Sequence, residues 1–94
     1  MVYEFGTIVK SLAGHDKNEV FILIDSDAEY VYIVDGKSRT LEKPKKKNKK
    51  HIQLTSIKVL KQYDENGVKL PINNELVKRR IKEYKQSILN HLKY

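Results

Sequence analysis

Apolar residues in the first half of the chain fall in short runs separated by polar turns. "TIVKSL" (Thr7–Leu12), "VFILID" (Val20–Asp25) and "YVYIVD" (Tyr30–Asp35) are rich in β-branched and aromatic residues and read as strands. The stretches between them, "AGHDKNE" and "SDAE", read as turns. Asp35-Gly36 predicts a two-residue type I′ hairpin, because both central residues of that turn take positive φ. On this reading "KSRTL" pairs back onto "YVYIV". "PKKKNKK" has nothing apolar to bury and Pro44 lacks a backbone donor, which predicts a solvated loop. Alternation resumes in "HIQL" (His51–Leu54), a further strand. The expected fold is mainly β: a strongly bent antiparallel sheet, forming a small barrel that closes its own edges.

The period changes in the last third. In "TSIKVLKQYDENGVKLP", Ile57, Val59 and Leu60 are compatible with a strand or a short helix, and "DENG" reads as a turn. Beyond it, Leu76, Val77, Ile81, Tyr84, Ile88 and Leu92 recur at three- and four-residue steps, predicting an amphipathic helix over residues 73–94. Asn73 or Asn74 suits its N-cap, and Glu75 complements the dipole in the first turn. The predicted organisation is a single domain, with a barrel at residues 1–55, a connector at 56–72 and the helix packed on the barrel.

Composition narrows the function classes. The 94 residues contain no cysteine, which removes disulfides, thiol nucleophiles and cysteine zinc sites. The longest apolar runs are five residues, against roughly 18–20 for a membrane-spanning helix. "MVYEFG" shows no basic stretch followed by an apolar one, so no secretory signal is expected and the expected location is the cytoplasm. His15, His51 and His91 lack the spacing of a recognised metal motif, and no glycine-rich phosphate loop or "GxSxG" is present. Neither an enzyme nor a cofactor is expected. Asp25, Asp27 and Glu29 alternate as calcium ligands do, but without the rest of that twelve-residue pattern they read as a solvated hairpin loop, facing away from any phosphate.

Charge is where the sequence is most uneven. Residues 37–51 hold eight basic side chains and one acidic, a net of +7, and the whole chain also carries +7. Residues 1–36 are net −5 and residues 73–94 net +4. A charge run can be a solubilising loop. Concentrating the entire net charge in one segment points instead to a polyanion, whose phosphates lysines attract by releasing condensed counterions. That reading requires the ammonium groups to share one surface and to stay free of internal carboxylates.

"GTIVKSLAGHDKNEVFILI" resembles the KOW motif: a glycine, alternating apolar residues, a "GxDKx" loop and a second apolar strand. The likeness runs on through "VDGK", "RTLEKPKKK" and "KHIQL", and so covers about residues 5–55. It is similar to the KOW-type ribosomal proteins of the archaeal and eukaryotic large subunit and their short bacterial relatives. The resemblance implies an SH3-like barrel that binds RNA, usually ribosomal RNA, with the loop between the first two strands approaching it. Carried onto this chain, it nominates Lys10, Ser11, Gly14, His15, Asp16 and Lys17 from that loop region. From the basic segment it nominates Lys37, Arg39, Lys43, Lys45, Lys46, Lys47, Lys49, Lys50 and His51. Asn18 stands where such proteins commonly have glycine, and asparagine tolerates positive φ. His15 stands where a permanent cation is common, which moves the expected weight to the lysine run.

The helix adds Lys78, Arg79, Arg80, Lys82 and Lys85 as a secondary RNA surface. Tyr30 and Tyr32 share a strand face and suit either base stacking or the core. The expected protein is a monomeric, ribosome-associated RNA binder with ribosomal RNA, and possible ribosomal-protein neighbours, as partners and no membrane. Its rival is a KOW module of the transcription or translation machinery that docks a partner protein through the helix. Weak association with anionic membranes through the helix and lysine run is a third alternative.

Overall fold

The computed structural model describes residues 2–92, and in it three strands form where the apolar alternation lies. These are β1 (Thr7–Ser11), β2 (Val20–Ser26) and β3 (Tyr30–Val34). β4 (Lys45–Asn48) and β5 (Ile52–Lys58) complete an antiparallel sheet of order β4-β3-β2-β1-β5. The helix α1 (Asn74–Leu92) follows a loop stitched by the Tyr63–Lys69 bridge around the "DENG" turn. Residues 93–94 of the predicted helix, and the Leu92 side chain of its stripe, lie outside the described residues.

Both faces of the sheet are buried, which explains why its central strands read as nearly continuous apolar runs. Ile8, Ile22 and Val34 lie on one face with Leu60, Val77 and Ile81, so this is the face that α1 covers. Val9, Phe21, Leu23, Val31 and Ile33 lie on the other with Ile52, where the sheet bends over itself. Irregularities drive the bend. The register slips between Leu23 and Asp25 against β3, and between Thr7 and Val9 against β5. At the second slip the Thr55 hydroxyl donates to Ile8 O at 2.7 Å and accepts from the Ile57 N–H at 3.1 Å.

The sheet nevertheless stays open, contrary to the expected self-closed barrel. β4 and β5 are its two edges and do not pair. Between them a 3-10 turn, Lys49–His51, is tied to opposite ends of the sheet. Its Lys49 N–H donates to Glu29 O, while His51 O accepts from Leu12 N–H.

Two further expectations are corrected. "KSRTL" does not return along β3, because Asp35 does not take the positive φ that a type I′ turn demands; Gly36 alone does, at +80°. The Asp35 carboxylate instead accepts the N–H groups of Lys37 and Arg39, closing a wider turn. Leu41 then leaves the sheet to pack against the helix-side core, its N–H held by the Asn74 side chain. The strand beside β3 is "KKKN", from the segment expected to be a solvated loop. Backbone pairing does not require apolar side chains, and lysine stems themselves cover apolar surface.

Asn73 is the N-cap of α1, its side chain accepting the Leu76 N–H at 2.8 Å. Val77 and Ile81 are buried, whereas Ile88 and Leu89 are 41% and 60% exposed. The stripe therefore packs only over its first half. A 19-residue helix runs about 28 Å, beyond the reach of five- to seven-residue strands at about 3.3 Å per residue.

Candidate nucleic-acid interface

Register decides the fate of each lysine in β4. Lys47 lies opposite Val31 and Lys45 opposite Ile33, so both point to the bent face of the sheet. Lys46 and Asn48 lie opposite Tyr32 and Tyr30 and point outward.

The inward pair meets one carboxylate. Lys47 Nζ is 2.6 Å from Asp16 Oδ1 and Lys45 Nζ is 2.5 Å from Asp16 Oδ2. The Ser11 hydroxyl donates to Asp16 Oδ1 at 2.7 Å, and Lys47 Nζ also donates to Ala13 O at 2.6 Å. Asp16, Ser11 and Lys47 are all buried. Burial by itself pushes the Asp16 carboxyl up. Hydrogen bonds from Lys45, Lys47 and Ser11, with the attraction of Lys45, outweigh it and hold the group well below the usual carboxylate range. Two ammoniums on one carboxylate leave a local excess of one positive charge.

This cluster ties the β1–β2 loop to β4. The loop is a tight turn in its own right. Asn18 takes φ +73°, which asparagine tolerates, and its N–H donates to Ser11 O. Gly14, His15 and Lys17 stand exposed at the tip. Leu12 N–H to His51 O, 2.8 Å, brings the end of the basic segment to the same loop. Two stretches about thirty residues apart in sequence, both nominated for RNA contact, thus sit side by side.

The requirement that the lysines stay free of internal carboxylates fails for Lys45 and Lys47. It is loosened for two others. Lys46 Nζ lies 4.3 Å from the Tyr30 ring centre, and Lys49 Nζ lies 4.2 Å from that of Tyr3 and 3.4 Å from Ala28 O. The acidic hairpin is beside them rather than remote. The Asp27 carboxylate accepts the Tyr30 and Glu29 N–H groups, which hold it below its ordinary pKa, with a smaller contribution from Lys46. It also accepts the Tyr32 hydroxyl at 3.0 Å, a bond that raises the Tyr32 pKa. These contacts engage Tyr3, Tyr30 and Tyr32, and the last two lie on the outer face of β3, opposite its core-facing Val31 and Ile33.

Lys10, Lys17, Lys37, Arg39, Lys43 and Lys50 are exposed with no carboxylate at ion-pair distance among the described residues. On α1 the nominated cations divide. Lys78, Arg79, Lys82 and Lys85 face a cleft beside the 35–38 turn, whereas Arg80 lies on the other side and pairs with Glu83 at 2.7 Å. The structural duty of Asp16 was missed because a lone acid in a turn carries no signal until β4 is placed over it. The cleft beside the 35–38 turn was missed for a similar reason: Lys37 meets α1 only once the fold is known.

No protein-family model matches the chain, and no curated protein matches it.

Proposed function

We propose that the protein binds structured RNA through phosphate and shape contacts, as a ribosomal or ribosome-associated protein built on the SH3-like plan of KOW proteins. The observation that carries the reading is the set of exposed cations with no carboxylate partner among the described residues, Lys17, Lys43 and Lys50, on the two segments that the Asp16 junction joins. That junction ties the β1–β2 loop to the start of β4 with one positive charge to spare. The strand order, with consecutive neighbours and a last strand beside the first, is compatible with a small barrel opened at the β4–β5 edge. Double-helical RNA hides its base edges in a deep groove, so a lysine-bearing surface suits recognition of its shape and phosphates.

Lys45 and Lys47 pair with Asp16, so neutralising them costs stability as well as charge. The clean set is Lys17, Lys43 and Lys50. Crosslinking in cells followed by sequencing of the attached RNA tests the reading, together with co-sedimentation with ribosomes. The expected result is ribosomal RNA at the crosslinks and co-sedimentation that disappears at high salt. A nuclease-insensitive complex with a defined protein, and no crosslinked RNA, would overturn it. That outcome would favour a protein-docking module using the exposed Ile88 and Leu89 of α1.

A further inference from the structure

Charge that is segregated along the sequence is interleaved in the fold. The acidic residues 1–36 supply Asp16 to the inward lysines of β4 and the Asp27 hairpin to the outward ones. α1 itself carries five basic and two acidic side chains, a net of +3.

The helix and the 35–38 turn enclose a cleft of about 770 Å3. Lys37 enters from the turn and Lys78, Arg79, Lys82 and Lys85 from the helix. Gly36 fixes the walls: a Cβ there would lie 2.5 Å from Asn74 O and 2.8 Å from Lys78 Cγ, so the absent side chain lets the turn seat against the first turn of α1. Val20 and Ile81 contribute apolar lining. Three acids share the cleft and two are occupied. Asp35 caps its own turn, and Glu75 pairs with Lys78 at 2.8 Å. Lys37, Arg79, Lys82 and Lys85 have no carboxylate at ion-pair distance among the described residues. Lys78, Lys82 and Lys85 follow at steps of four and three, a single stripe about 10 Å long at 1.5 Å per residue. Three ammoniums in such a stripe can contact successive phosphates of one backbone strand.

We propose that this cleft is a second phosphate-binding groove, taking one strand of the backbone of the RNA that the β1–β2 loop and β4 surface engages. The inference rests on the RNA reading. Arg80 has no part in it.

The test is binding of a duplex RNA of about 16 base pairs or more, measured over a range of salt for the full chain and two variants. One carries Lys37→Gln, Lys82→Gln and Lys85→Gln; the other carries Lys17→Gln, Lys43→Gln and Lys50→Gln. Thermal melts confirm that each is folded. The expected result is that both variants weaken binding at least tenfold near physiological salt, and that the cleft variant loses about 2–3 from the slope of log K against log salt. Glu19→Gln, which removes the remaining acid of the cleft, should tighten binding. A folded cleft variant that binds with unchanged affinity and slope overturns the groove while leaving the RNA reading intact. If the unaltered protein ignores the duplex, or binds only vesicles of anionic phospholipid, both readings fall.

Discussion

Asp16 is the residue on which most depends, since its carboxylate faces two inward ammonium groups. Removing one partner of a buried ion pair costs about 3–5 kcal/mol because the other charge is stranded. Asp16→Ala strands both lysines and should cost about that much. Lys47→Ala leaves Asp16 with Lys45 and Ser11, so the loss should be smaller, nearer the 1–3 kcal/mol of a lost buried hydrogen bond. Urea unfolding gives the order, and an Asp16→Ala loss below that of Lys47→Ala would contradict the assigned geometry. The sign with pH follows from the depressed carboxyl. Its contribution is fully present above the unfolded value of about 3.9 and is lost as pH falls toward the folded value. The stability gap between the unaltered protein and Asp16→Asn should therefore narrow as pH falls below about 5. A constant gap would mean that the Asp16 carboxyl titrates alike in the folded and unfolded protein and gains nothing from the two lysines.

At the scale of elements, β1, β2, β3 and the first half of α1 were legible because their side chains alone specify them: alternation for the strands, three- and four-residue steps for the helix. β4 was not legible. A polar reading of "KKKN" ignores that lysine stems can lie over a core and that a carboxylate 29 residues away can answer the amine. The open edge of the sheet was equally hidden, since the 3-10 turn that separates β4 from β5 is fixed by backbone bonds to Glu29 and Leu12, which no side-chain pattern announces. The apolar stripe of α1 was visible at full length, but not the point where the sheet stops supporting it. Ile81→Ala should cost about 2–5 kcal/mol. Leu89→Ala, eight residues on, should change stability by no more than about 0.5 kcal/mol in either direction. Equal losses would mean that the helix docks along its whole length.

For the molecule as a whole, the uneven net charge was legible in the sequence, and its placement in the fold only in part. The two segments nominated by the KOW resemblance do meet in the fold, at Asp16, but several of their lysines spend their charge on the protein itself. What is left unpaired among the described residues includes the exposed Lys17, Lys43 and Lys50, and Lys37, Arg79, Lys82 and Lys85 at the helix cleft. The most direct measurement of this account is the affinity of the unaltered protein for a structured ribosomal RNA fragment as salt is raised. Neutralising four to six phosphates predicts that log K falls linearly with log salt, with a slope of roughly −3 to −5. Binding that does not change with salt would contradict the phosphate grip outright.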